Sequence, residues 1–140
     1  MDLRLYLPLL VIVFANVIYH NLVKITPPEA NAYLSMGIAY GMAMLTTFLL
    51  YFANGPKFAE DFSNLNPVSY LLGIAIVGIE LGYLFLYRSG WKISSGSLIA
   101  NISVALLLII AGIIFYHEHI SLKELLGIAL CLGGLFIIKG

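Results

Sequence analysis

The chain has 140 residues, enough for one domain; 61% of them are hydrophobic and 10% charged, with a mean hydropathy of +1.01. A soluble domain carries about a quarter charged residues, so this chain has too little polar surface to cover itself in water, and its outside must face lipid. Seven basic and seven acidic residues cancel, which leaves no charge excess to mark a nucleic-acid partner.

A bilayer core about 30 Å thick takes roughly 20 apolar residues in a helix. The first such segment is Leu3 to Val23, where Asp2 offsets Arg4 and no small-residue cleavage site follows, so it reads as a retained helix and not a signal peptide. The second, Pro27 to Phe52, opens on "TPPE", which predicts Thr26 as N-cap, Pro27 at the first helical position and Glu29 as capping-box partner. A loop from Ala53 to Asn66 places Phe58 and Phe62 at headgroup level. Asn66 and Pro67 open the third span, Pro67 to Tyr87, and Ser94 to Tyr116 forms the fourth. The fifth, Leu122 to Ile138, starts on a second capping box, Ser121 with Glu124, and is short enough to need thinned lipid or polar flanks. The prediction is an all-α integral membrane protein, a single domain over residues 1–140 built as a bundle of five transmembrane helices.

Polar residues fall on particular faces of these helices, since positions three, four and seven apart align. The first span groups Asn16, Tyr19 and His20, and the second groups Tyr33, Gly37, Tyr40, Met44 and Thr47. The third groups Glu80 with Tyr83, Leu84 and Tyr87, and the fourth has Ser94, Ser97 and Asn101. A polar or aromatic side on each of these helices predicts a bundle around a wettable centre. Tyr87, Trp91, Tyr116, Tyr51 and Phe52 read as an aromatic belt at the membrane surface, whereas Tyr40 and Tyr83 lie deeper and are candidates to line a site. Gly78 with Gly82, and Gly127, Gly133 and Gly134, mark edges where helices pack closely.

Glu80 is the residue that composition least explains. A carboxylate at mid-membrane costs around 3 kcal/mol on insertion scales and persists only if paired, hydrated or neutralised. One reading is a functional carboxyl that faces a cavity and binds a proton or a cationic substrate. A second is structural hydrogen bonding to Asn16, His20 or Asn101. A third is an ion pair with Arg88, although eight residues place Arg88 about 12 Å further along the axis; a span boundary set elsewhere is the fourth.

Other motifs carry less. His117, Glu118 and His119 in "YHEHIS" have no HExxH spacing and no second ligand cluster, so no metal or other cofactor is expected and they read as solvated helix-end residues. Cys131 has no second cysteine to pair with and reads as a small packing residue. The sequon at Asn101 falls inside a span. No nucleophile with a base, phosphate loop or paired carboxylate appears, so no enzyme is predicted. Lys and Arg divide almost evenly across five spans: Arg4, Lys57 and Lys123 on one side, Lys24, Arg88, Lys92 and Lys139 on the other. A fixed topology shows a clear cytoplasmic excess; an even balance is expected of a chain that inserts both ways round, or of a weak signal decided by the first helix.

The C-terminal "NISVALLLIIAGIIFYHEHISLKELLGIALCLGGLFI", Asn101 to Ile137, resembles the drug/metabolite transporter superfamily, specifically its EamA-like five-helix unit. It has an apolar helix, a Glu at the turn, a short polar stretch and a helix of the form "LLGIALxLxG". The preceding "IELGYLFLYRSGWKISSGSL" is also similar to single-unit bacterial members. The resemblance implies a transporter of a small metabolite or amphipathic compound in the inner membrane of a bacterium or archaeon. Larger relatives fuse two such units in inverted orientation, and the related small multidrug resistance proteins dimerise antiparallel, which implies a homodimer here with a midplane site between copies. The small multidrug proteins carry their key Glu in the first helix, whereas this chain has Asn16 and His20 there, so substrate class does not carry across. Glu118 corresponds to the turn Glu, with a structural role between the last two helices. The expected function is proton-coupled transport through Glu80, with Asn16, His20, Tyr40, Tyr83 and Asn101 around it. The alternative is a non-transporting membrane subunit, or half of a hetero-oligomeric transporter or flippase.

Overall fold

The computed structural model describes the backbone of residues 3–139 and the side chains of residues 6–134 and 137. Asp2 and Gly140, with the side chains of Arg4 and Lys139 that enter the charge balance, lie outside the described residues. Among the described residues the chain forms six helices and no strand: α1 (Leu3–Ile25), α2 (Ala32–Ala53), α3 (Phe58–Ser63), α4 (Val68–Arg88), α5 (Ile93–Tyr116) and α6 (Leu122–Lys139). Four of them, α1, α2, α4 and α5, are long and apolar enough to cross a bilayer. With 18 residues, α6 reaches roughly 27 Å at 1.5 Å per residue, just under the hydrocarbon thickness.

The helices divide into two units, residues 1–89 and 90–140. In the first, α4 packs against both α1 and α2. Its core is a layer built from the C-terminal ends of α1 and α4 and the N-terminal end of α2: His20, Val23, Ala32, Met36, Leu84 and Tyr87 are all buried, Leu84 completely. Much of the remaining helix surface is apolar and exposed, as lipid-facing helices require.

Polar side chains lock this end. The Arg88 Nη2 donates to the carbonyls of Pro27 (3.0 Å) and Ala30 (2.7 Å), tying the end of α4 to the α1–α2 turn. Lys24 Nζ donates to the Tyr87 carbonyl at 3.3 Å, placing a cation at the negative end of the α4 dipole. Gly90 then takes φ +96°, a left-handed conformation that ends the helix at little cost because glycine has no Cβ.

Two sequence expectations need correction here. The second helix opens at Ala32, not Pro27, and its N-cap is Asn31, whose side chain accepts from the Leu34 N–H at 3.0 Å. Pro28 disfavours helical geometry at Pro27, so "TPPEA" forms a turn, and the Thr26 hydroxyl donates backwards to the Leu22 carbonyl at 3.0 Å. The loop after α2 contains the short helix α3. Asp61 orders it, its Oδ2 accepting from the Lys57 N–H at 3.0 Å and the Tyr51 hydroxyl at 2.7 Å, while Phe58 and Phe62 stack at 5.9 Å.

The second unit is a hairpin of α5 on α6. Its capping box is reciprocal as expected: Ser121 N–H donates to Glu124 Oε2 at 2.7 Å, and Glu124 N–H donates to Ser121 Oγ at 3.3 Å. The turn leaves α5 through His117 at φ 53°, with the N–H groups of His117 and Glu118 both directed to the Gly112 carbonyl.

Candidate functional site

Helix period brings Tyr19 and His20 of α1 and Tyr40 of α2 to the α4 face that carries Glu80, Tyr83, Leu84 and Tyr87. At the floor, the Tyr87 hydroxyl and His20 Nδ1 share a 2.9 Å hydrogen bond between residues that are both buried. The rings above it interlock edge to face. His20 stands 4.7 Å from Tyr83 and 4.9 Å from Tyr19 between centroids, and Tyr19 stands 5.9 Å from Tyr83. Tyr83 and Tyr87, one turn apart on α4, stack at 6.0 Å. Such aromatic pairs contribute about 0.5–1.5 kcal/mol each beyond area burial, which makes this cluster a rigid wall.

Glu80 lies one turn beyond Leu84 and is half-buried. Its carboxyl interacts with the Tyr19 hydroxyl and is electrostatically coupled to Tyr40. Three buried polar atoms of this cluster lack a hydrogen-bond partner: Tyr19 Oη, Tyr40 Oη and His20 Nε2. An unpaired buried polar group costs about 1–3 kcal/mol, and two of the three, the Tyr19 and Tyr40 hydroxyls, are those coupled to the Glu80 carboxyl. Arg88 turns its guanidinium to the Pro27 and Ala30 carbonyls, which disposes of the ion-pair reading of Glu80.

Of the residues expected around Glu80, His20, Tyr40 and Tyr83 stand in this cluster. Asn16 does not join it: its Nδ2 donates to the Ile12 carbonyl of its own helix at 3.0 Å and the side chain is exposed. Asn101 lies on α5, in the second unit. Tyr87 belongs to the buried floor, not to a surface belt, because its hydroxyl has a buried partner in His20. Tyr19 was legible only as the neighbour of His20; its importance comes from the approach of α4. Side chains at Gly78, Gly82, Gly127, Gly133 or Gly134 would meet nothing within 4 Å, so among the described residues no close packing uses these positions. Gly112 is crowded: a Cβ there would run into the Glu118 carboxylate. That contact holds the turn Glu against α5. His119, Glu118 and Glu124 border a cavity of about 400 Å³ between α5 and α6, and no group of three His, Cys, Asp or Glu converges for a metal among the described residues.

Neither the curated proteins nor the solved structures compared with this chain include a significant match. A family comparison does match, over residues 3–140, to the EamA-like transporter family. With nearly the whole chain covered and four helices fit to cross a bilayer, this integral membrane protein belongs to the EamA-like transporter family.

Proposed function

We propose that this protein moves a small metabolite or amphipathic compound across the cytoplasmic membrane of a bacterium or archaeon, coupled to protons through Glu80. The observation that carries the reading is a half-buried carboxyl on a spanning helix, coupled to the buried hydroxyls of Tyr19 and Tyr40 from two neighbouring helices. Intramembrane carboxyls that face such surroundings mark proton and substrate pathways. Glu80 holds a proton in one state and exchanges it for substrate in the other. Tyr19 and Tyr40 supply hydroxyls to either form of the carboxyl, and the His20–Tyr87 pair fixes the wall behind. The working assembly is a homodimer of oppositely inserted copies, supported by the even Lys and Arg balance and by the open glycines of α4 and α6.

Proteoliposomes test the coupling. With an imposed pH gradient and a panel of small metabolites, the wild type concentrates at least one compound, and Glu80→Gln lets that compound equilibrate without concentrating it. A Glu80→Gln protein that still concentrates it refutes the coupling. The alternative of a non-transporting subunit predicts that the purified chain is inert and arrives with a second membrane protein.

A further inference from the structure

The second unit holds a cavity of about 400 Å³ between α5 and α6, large enough for a small-molecule ligand. On α5 its lining runs from Ile102 to Ile109, and on α6 from Glu124 through Gly127 to Cys131, each at positions three, four and seven apart. That spacing is one face of a helix, so two facing stripes form a groove along both helices. At about 1.5 Å per residue, Cys131 lies roughly 14 Å along α6 from Leu122, and Ile102 roughly 21 Å back from Tyr116, the end of α5. One leaflet's share of the hydrocarbon core is about 15 Å. The groove therefore starts at the turn and reaches about one leaflet deep. Its depth is apolar, and its charged and imidazole groups gather at the turn: Glu118, His119 and Glu124, with no Lys or Arg among the described residues that line it. Glu124 gives Oε2 to the Ser121 N–H and hydroxyl, while Oε1 takes no part in that box. The Glu118 carboxylate is seated against Gly112. Two carboxylates suit a cation with N–H donors, and an imidazole N–H beside them suits a phosphate oxygen. Gly127 leaves room for a chain below, since a Cβ there would meet nothing within 4 Å.

We infer that the α5–α6 groove holds a membrane phospholipid whose headgroup carries a primary ammonium, of the phosphatidylethanolamine type. The ammonium sits on Glu118 and Glu124, the phosphate on His119, and one acyl chain runs down the groove past Gly127. A phosphatidylcholine headgroup offers the charge without the donors, and phosphatidylglycerol offers the phosphate without the cation. The assignment depends neither on Glu80 nor on transport.

The test is native mass spectrometry of the full chain, delipidated in detergent and titrated with phosphatidylethanolamine, phosphatidylcholine and phosphatidylglycerol of matched acyl chains. Phosphatidylethanolamine is expected to bind about tenfold more tightly than either, the effect of about one charge-assisted hydrogen bond. Glu118→Gln combined with Glu124→Gln should remove that preference, and glutamine at 124 keeps the capping box, so the start of α6 stays in place. Gly127→Leu, which fills the groove, should weaken all three lipids several-fold. Equal affinities of the wild type for phosphatidylethanolamine and phosphatidylcholine, a comparison that needs no variant to fold, overturn the inference. A preference that survives the double glutamine variant, or a Gly127→Leu protein with unchanged lipid binding, also overturns it. A lipid-free dimer that Gly127→Leu disrupts would assign the groove to a second copy of the chain and overturn it as well.

Discussion

The His20–Tyr87 bond provides the sharpest test of the packing beneath Glu80. Both residues are buried, at 6% and 4% exposure, and their 2.9 Å bond joins α1 to α4. Tyr87→Phe keeps the ring and strands His20 Nδ1 in a residue whose Nε2 already lacks a partner. In water-soluble cores a stranded group costs about 1–3 kcal/mol. Interhelical bonds in lipid average about 0.6 and reach about 1.7 kcal/mol, so about 1 kcal/mol is expected. His20→Phe costs less, since it removes the orphaned Nε2 together with the bonded Nδ1 and fills the same aromatic niche. With both changes made, no stranded partner remains, and the double variant should be more stable than the sum of the singles implies by about 1 kcal/mol. Unfolding free energies from denaturant titration in mixed micelles close the cycle. A coupling within about 0.3 kcal/mol of zero, inside the additivity expected of independent sites, refutes the claim that this bond joins the helices.

Leu84 is fully buried, so Leu84→Ala should destabilise the first unit by about 2 kcal/mol, the lower end of the soluble range because lipid removes much of the transfer term; unfolding in the same micelles measures it. Arg88→Gln should release the Pro27 and Ala30 carbonyls and speed amide exchange in residues 26–31 while α5 and α6 stay unchanged. Gly112→Ala should displace the Glu118 carboxylate and loosen the α5–α6 turn, and Gly112→Ala with Glu118→Ala should recover it, read by proteolysis at residues 117–121. Ser121→Ala should speed exchange of the first-turn amides of α6 without altering α5.

The long helices were legible because their apolar runs leave no other placement, and the Ser121–Glu124 box because its partners are local in sequence. Glu80, Tyr83 and Leu84 share a face by helix period alone, so half of the site needed no tertiary information. The other half did. Tyr19 and Tyr40 matter because α1 and α2 pack on α4, and their spacing says nothing about which helix they meet. Tyr87 has the composition of a belt residue, and only a buried partner 67 positions away in the chain moves it to the core. Asn16 carries the same polar label as His20 but satisfies its amide on its own helix. At the α2 start, two consecutive prolines matched a capping pattern, yet the second one restricts the first, and Asn31 supplies the cap instead. Gly112 gave no signal because its crowding comes from a turn that folds back over it.

The central claim is that Glu80 gains and loses a proton within the pH span that a cell membrane maintains. Infrared difference spectroscopy of the purified chain in lipid, wild type against Glu80→Gln, reads that proton directly. The account predicts a protonated-carboxyl band that disappears as pH rises across this span and is missing from the Glu80→Gln protein. A Glu80 carboxyl whose band does not change across it would make the residue a structural strut and contradict the account.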